Sequence, residues 1–320
     1  MSAVRLLMAG GGTAGHLFPC VAVAREVEAL MPDAQVHFVG ARGRVDERIL
    51  AQRQLPHSLI DARPLPYRLS LDTLGGLVAL ARSVGQSRRI IRARQPHAIF
   101  STGGYVGAAV GMAARIAHVP LILHASDVRP DRANRLLARW AEAITAGSPE
   151  AAEQLSRDAV VTGNPVRAEV AHATSDDAVR KLGLEPGLPT ILVTGGSQGA
   201  RRINTAVIDA LPGLLAANDP QVVHLSGSLD YETLRQEAER LGSPERYHLI
   251  EHLPNPGPAL SAADLAVTRA GAGSLAELCL HGVPMIVVPY PFAGGHQRLN
   301  AEPLAEAGAA VIVEDEQFTA

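Results

Sequence analysis

A short apolar run, a glycine-rich turn and a helix start follow one another twice in this sequence, and that recurrence dictates most of what the chain can fold into. VRLLMAGGGTAGH begins at Val4 and PTILVTGGSQGA at Pro189, so the glycine turns stand about 185 residues apart. In each, the apolar run reads as a buried strand. The glycines permit a tight turn, and the helix that follows offers unpaired backbone N–H groups to an anion. Apolar runs alternate with longer helix-like patterns along the rest of the chain. Val4–Ala9, Val36–Val39, Ala98–Phe100, Leu121–His124 and Ala143–Thr145 read as strands in the first half. Thr190–Thr194, Gln221–Leu225, Leu265–Thr268 and Met285–Val288 do so in the second. Such alternation predicts parallel sheets covered by helices on both faces. The expected fold is therefore α/β, with two tandem Rossmann-like domains whose parallel sheets face a central cleft. A length of 320 residues and an apolar content of 47% suffice for two cores. The breaker-rich Gly163-Asn164-Pro165-Val166 marks the hinge, giving expected domains 1–162 and 163–320.

The net charge of −3 conceals an asymmetry. Residues 1–160 carry 19 Lys and Arg against 13 Asp and Glu, a balance of +6; the remainder carries 10 against 19, a balance of −9. A basic half joined to an acidic half suggests different partners for each, although an uneven scatter of surface charge gives the same totals. Cys20 and Cys279 stand in neither a CxxC nor a metal-ligand spacing, which points to a reducing compartment rather than a disulfide scaffold. The first residues run straight into a strand-like segment, unlike a secretory signal. No apolar run approaches the roughly 18 residues that suggest a membrane span.

Five segments fall at strand ends and carry groups suited to a nucleotide or a sugar. The first is Gly10-Gly11-Gly12-Thr13-Ala14-Gly15-His16. A dinucleotide fingerprint would want an acidic residue at the end of the next strand, where His37-Phe38-Val39-Gly40 stands instead. His16, at the helix entry, reads as a general base in a cleft or as a solvated structural histidine. The second, Thr194-Gly195-Gly196-Ser197-Gln198-Gly199-Ala200, offers the Ser197 hydroxyl and loop amides to a diphosphate, or is a bare tight turn. No Lys follows it, so it is not a Walker loop. The third, Ser101-Thr102-Gly103-Gly104-Tyr105, widens the cleft floor for a bulky acceptor, or is a tight turn with a packed Tyr105. In the fourth, Arg269 to Glu277, Gly and Ala let the backbone approach a base or ribose. Glu277 suits the two ribose hydroxyls, while Ser274 with Glu277 three residues on also reads as a capping box. The fifth, Pro289 to Ala301, opens a helix with His296-Gln297, whose imidazole and amide suit sugar hydroxyls; a solvated helix start is the alternative. Together these segments point to a nucleotide-sugar glycosyltransferase.

GGTAGHLFP, GGY, GNPVR, GGSQGARRIN, RAGAGSLAE and HQRLNA occur in this order over nearly the whole chain. The set resembles the MurG family within glycosyltransferase family 28. The resemblance implies a GT-B fold and an inverting, metal-independent transfer of N-acetylglucosamine from UDP-N-acetylglucosamine. The acceptor it implies is the C4 hydroxyl of undecaprenyl-diphosphate-linked MurNAc-pentapeptide, the step from lipid I to lipid II in peptidoglycan synthesis. It implies no cofactor beyond the donor, no nucleic-acid partner, and peripheral attachment to the cytoplasmic side of the cell membrane, on an anionic surface. Carried over by motif, His16 is the candidate base, with Asp127 also available. Thr13, Ala14, Gly15 and Tyr105 line the substrate cleft. Arg167 and Ser197 meet the diphosphate or nucleoside, Gln198 beside Ser197 is a further substrate-binding residue, and Leu253 lies against uracil through its backbone. Ala272, Gly273, Ser274, Leu275 and Glu277 hold diphosphate and ribose, and His296 with Gln297 meets the N-acetylglucosamine hydroxyls.

Three features depart from the family pattern. Ala14 replaces the second glycine of GGTGGH, which a methyl tolerates only at negative φ. His124-Ala125-Ser126-Asp127 replaces HEQN and puts an acceptor-only carboxylate where a carboxamide is usual. The sequence ends soon after Val313, where the family continues into C-terminal helices, so those helices are expected to be missing. Between Asp72 and Asp127 there is no acidic residue, and Arg82, Arg88, Arg89, Arg92, Arg94 and Arg115 accompany apolar runs such as Leu74–Ala81. A helix of that kind suits anionic lipid, or is an ordinary basic surface helix. Three other functions compete. A different GT-B glycolipid glycosyltransferase would prefer UDP-glucose. A UDP-sugar 2-epimerase would release N-acetylmannosamine from donor alone. A non-catalytic UDP-sugar-binding module would bind donor without turnover.

Overall fold

The computed structural model describes residues 3–64, 71–156, 158–196, 199–217, 220–292 and 295–320, with the backbone alone for 71–74. The chain divides into two compact units, Met1–Arg167 and Ala168–Ala320. In the first, the strands are β1 (Arg5–Gly10), β2 (Gln35–Ala41), β3 (His57–Ile60), β4 (Ala98–Gly103), β5 (Leu121–Ala125), β6 (Ala143–Ala146) and β7 (Val160–Val161). They pair in parallel in the order β3-β2-β1-β4-β5-β6-β7. In the second, β8 (Thr190–Thr194), β9 (Gln221–Leu225), β10 (Tyr247–Ile250), β11 (Leu265–Thr268), β12 (Met285–Val287) and β13 (Ala310–Ile312) pair in parallel as β10-β9-β8-β11-β12-β13. Each unit has the Rossmann strand order, with the first strand at the centre and the chain reversing direction beside it.

Alternation along β1 shows why the sheet is buried on both faces. Leu7 packs with Val39, Ile99 and the Val106, Ala109, Val110 and Ala113 stripe of helix Gly104–Ala117. Met8 points the other way, to Phe38, Phe100 and the Leu17, Cys20, Val21 and Ala24 stripe of helix Ala14–Leu30. Each large side chain buried there contributes about 1.5–3 kcal/mol. In unit 2, helix Arg201–Ala216 packs Ile203, Val207 and Leu211 against Val193, Val222 and Val267.

Four strands go unread in the sequence, namely β3, β7, β10 and β13, and all four are sheet edges. An edge strand has one neighbour and a partly wetted surface, so it does not need a continuous apolar run. HSLI and YHLI are mostly half-buried, and Val160 and Val161 are exposed.

Two core histidines make stability depend on pH. His37 and His224 are buried, and burial is the main force pushing each pKa down to about 4. An unfolded histidine takes its proton near pH ~6.5. Between these values the unfolded chain binds more protons than the folded one, so stability is full above about pH 6.5 and falls as the pH drops towards 4. The loss from His224 alone is on the order of 3 kcal/mol. Thermal unfolding should show Tm falling steadily from about pH 7 to about pH 4.5, and a flat profile contradicts the assignment.

Candidate active site

In unit 1 the loops after β1 and β4 flank the point where the strand order reverses. Thr13 caps helix Ala14–Leu30 with extended backbone, and its carbonyl accepts from the N–H of His16 at 3.2 Å and of Leu17 at 3.3 Å. Ala14 is the first helical residue and is not among the residues with positive φ, so its methyl is accommodated. Thr13 and Gly15 are exposed.

His16 is held from both ends by Thr102. The Thr102 hydroxyl donates to the His16 carbonyl at 2.7 Å, and the Thr102 carbonyl lies 3.1 Å from His16 Nδ1. A carbonyl can only accept, so Nδ1 carries the proton and Nε2 of the neutral ring keeps its lone pair. The Nε2 edge lies over Gly104, where a Cβ would sit 3.3 Å from Nε2.

Two aspartates fix these loops, Asp46 fully buried and Asp131 half-buried. Asp46, in the first turn of helix Val45–Gln52, accepts from Gly12 N at 2.7 Å and 2.9 Å and from Ala41 N at 2.9 Å. Gly12 has φ +98°, and a Cβ there would collide with the Tyr105 ring. Tyr105 is half-buried, and desolvation, with a smaller push from Asp46, raises its phenol pKa. Asp131 caps helix Arg132–Leu137 by accepting from Asn134 N at 2.6 Å, and its other oxygen accepts from Gly104 N at 2.8 Å. Sequence reading found neither aspartate. The signal available was an aspartate opening the short helix that follows a strand.

Beyond β5, buried His124 has Nδ1 2.9 Å from the Thr145 hydroxyl and Nε2 3.1 Å from Asn164 Oδ1. Asn164 Nδ2 donates to the Ser126 carbonyl at 3.1 Å. These bonds fix the segment that leads to Asp127, which is half-buried in the bend after the strand. Arg167 is 4% exposed and stacks on Phe18, its guanidinium 4.2 Å from the ring centroid. Phe18 lies two residues after His16 on the same helix, so a cation–π contact brings Arg167 to that helix.

In unit 2 the corresponding loops follow β8 and β11. Ser197 and Gln198 lie outside the described residues. On either side of them, Gly199 N donates to Gly196 O at 3.0 Å, ahead of helix Arg201–Ala216. After β11, helix Ala272–Leu280 is preceded by Gly271 at the cap position. Ser274 is therefore not the cap that the capping-box reading supposed; it sits inside the first turn. Leu275 is 4% exposed, with its side chain in the core and its N–H bonded to Gly271 O at 3.0 Å. The first-turn N–H groups that an anion can use are those of Ala272, Gly273 and Ser274. Glu277 is half-buried on the same helix, and Leu253 is half-buried in the loop after β10.

His296 opens helix His296–Glu306 and is half-buried. Gln297 Oε1 accepts from both Ala270 N at 3.2 Å and Tyr290 N at 2.9 Å, so its oxygen clamps two loops and only its NH₂ remains for a hydroxyl. A cavity of about 750 Å³ opens here, lined by Gly195, Gly199, Arg201, Arg269, Tyr290 and Gln297 among others. Arg269 donates to the carbonyls of Val288 at 3.0 Å and Pro289 at 3.2 Å and pairs with Asp315.

Residues 6–146 match the glycosyltransferase family 28 N-terminal domain, and residues 190–320 match the glycosyltransferase family 28 C-terminal domain. The chain belongs to glycosyltransferase family 28. Family 28 relatives span nearly all of it. A protein of Desulfitobacterium hafniense (strain Y51) is 34% identical, over 99% of this chain and 87% of its own length. One from Clavibacter sepedonicus is 38% identical, over 98% and 84%. Both are named UDP-N-acetylglucosamine--N-acetylmuramyl-(pentapeptide) pyrophosphoryl-undecaprenol N-acetylglucosamine transferase. Among solved structures, Acinetobacter baumannii MurG superposes with a TM-score of 0.73 at 25% identity, covering 99% of this chain and 87% of that one. The two Rossmann-like units are those of the GT-B fold, and as a family 28 member the chain is a glycosyltransferase. Among the described residues no helix is long and apolar enough to cross a membrane.

Proposed function

We propose that this family 28 enzyme moves N-acetylglucosamine from UDP-N-acetylglucosamine to the C4 hydroxyl of undecaprenyl-diphosphate-linked MurNAc-pentapeptide, forming lipid II for peptidoglycan. The observation that carries the chemistry is the His16 tautomer. With Nδ1 tied to the Thr102 carbonyl, Nε2 is the ring atom left to take a proton. In a single inverting displacement, the acceptor oxygen attacks the anomeric carbon as His16 removes its proton, and UDP departs. Charge grows on the β-phosphate as the bond breaks. The amino ends of helices Arg201–Ala216 and Ala272–Leu280 are suited to that charge, helped by Ser197 and Gln198.

In this reading Thr13, Ala14, Gly15 and Tyr105 border the reacting sugars, with Asp127 near them. Arg167 and Leu253 meet the nucleotide, Glu277 takes the ribose hydroxyls, and His296 with the Gln297 NH₂ holds the N-acetylglucosamine hydroxyls. No cofactor beyond the donor takes part. UDP displacement by competing sugars tests the donor. UDP-N-acetylglucosamine should outcompete UDP-glucose clearly, whereas equal competition would favour a glycolipid glucosyltransferase.

The enzyme would work at the cytoplasmic face of the membrane, where its acceptor is anchored. Helix Leu71–Arg94 supports this, since it exposes Leu77 and Val78 together with Arg89 and Arg92. Arginines near an anionic surface contribute roughly 1 kcal/mol each. Replacing Arg88, Arg89 and Arg92 together by Ala should therefore weaken sedimentation with anionic vesicles by about two orders of magnitude. Unchanged sedimentation contradicts membrane docking through this helix.

A further inference from the structure

Beneath the glycine turn of unit 2 runs a continuous chain of buried polar side chains. His224, on β9, is fully buried, with Nδ1 2.8 Å from the Tyr247 hydroxyl and Nε2 3.0 Å from Asn204 Oδ1. Asn204, in helix Arg201–Ala216, has Nδ2 2.9 Å from the Ser226 carbonyl and 3.0 Å from the Asp230 carboxylate. The other oxygen of Asp230 pairs with Arg201 at 3.1 Å.

The acceptor-only end sets the polarity of the whole chain. A carbonyl and a carboxylate both accept, so the Asn204 group between them is its NH₂, and its oxygen faces His224. That oxygen demands a proton on Nε2. The neutral ring then presents a lone pair at Nδ1, and the Tyr247 hydroxyl donates into it. Donation runs from Tyr247 to His224 to Asn204 and ends on Ser226 and Asp230, with each of these bonds satisfied at both ends.

The end of this chain lies against Gly199. Gly199 has φ +79°, and a Cβ there would collide with the Ser226 carbonyl oxygen. Asn204 N also donates to Ala200 O at 2.8 Å. Arg201, gripped by Asp230, begins the helix and lines the 750 Å³ cavity. Unit 1 repeats the device: His124 meets Asn164, and Asn164 grips the carbonyl two residues beyond that histidine, at Ser126.

We propose that His224 is a positioning residue for the donor diphosphate. As the Nε2–H tautomer it orients Asn204, which sets the Ser226 carbonyl and through it Gly199 and the amino end of helix Arg201–Ala216. The proposal rests on the reading of unit 2 as the UDP-sugar side.

Calorimetric titration with UDP tests it on the intact chain. His224→Leu should raise the Kd for UDP and the KM for the donor sugar by at least about tenfold, with a smaller change in kcat. His224→Gln, whose amide N–H replaces Nε2–H, should restore most of the affinity. If the unaltered protein binds no UDP, the donor-side reading falls and the proposal falls with it. If it binds UDP and His224→Leu binds equally well, the proposal alone is overturned. Nitrogen-15 shifts of the His224 ring in the unaltered protein read the same chain with no risk to folding. An Nε2-protonated ring supports the assignment, and an Nδ1-protonated ring overturns it.

Discussion

His16→Asn should lower turnover by about 10²–10⁴-fold while leaving UDP binding within a fewfold of the unaltered protein. The choice of asparagine matters. Its amide N–H takes the place of Nδ1–H and can keep the bond to the Thr102 carbonyl, so the loop retains its anchor while the basic Nε2 disappears. The loss should therefore fall on kcat and not on donor KM, the signature of a group needed in the transition state alone. Asp127 is the competing base, half-buried after β5. If it served that role, Asp127→Asn would show the large loss and His16→Asn a small one. Steady-state kinetics of the two variants side by side settles the order.

Asp46→Ala should destabilise the chain by about 3 kcal/mol or more, seen as a lower thermal midpoint, with activity falling in parallel. Asp46 is fully buried and receives the N–H groups of Gly12 and Ala41. Alanine leaves both donors without a partner, that of Ala41 fully buried and that of Gly12 partly so, and an unsatisfied buried donor costs about 1–3 kcal/mol. It also opens a void beneath the first glycine loop. Asp46→Asn is the milder test, because its carboxamide accepts through one oxygen and must turn a donor towards one of the two N–H groups. A midpoint unchanged in Asp46→Ala would mean that the loop holds its shape without this carboxylate.

The legible part of this fold is the part with a local cause. Apolar runs marked the inner strands of both sheets, since a strand buried on two faces must be apolar throughout. The glycine turns after β1 and β8 stood out for a similar reason, because a tight turn into a helix needs glycine within a few residues. The edge strands β3 and β10 were illegible because each has a partly wetted surface and a mixed composition, and β7 and β13 because VV and AVI are too short to stand out. The supports of the site were illegible for a different reason. Gly12 finds its acceptor 34 residues away in Asp46, Gly104 finds Asp131 27 residues away, and His124 meets Asn164 40 residues away. No local pattern encodes such pairs; they exist only once the sheet order has brought the strand ends together. The capping of helix Ala272–Leu280 shows the opposite error. Ser274 with Glu277 has the spacing of a capping box, but the helix begins at Ala272, so the pattern falls inside the helix it was meant to start. Gln297 is read differently too: a side chain suited to sugar hydroxyls commits its oxygen to Ala270 and Tyr290.

Transfer to a lipid-linked muramoyl acceptor is the reaction proposed for this enzyme. The most direct measurement incubates the intact protein with UDP-N-acetylglucosamine and undecaprenyl-diphosphate-linked MurNAc-pentapeptide, following free UDP and the glycolipid product together. UDP and a β-linked disaccharide glycolipid should appear in equal amounts, and neither when the acceptor is omitted. Donor that is bound but left intact in the presence of acceptor, or N-acetylmannosamine released from donor alone, would contradict it.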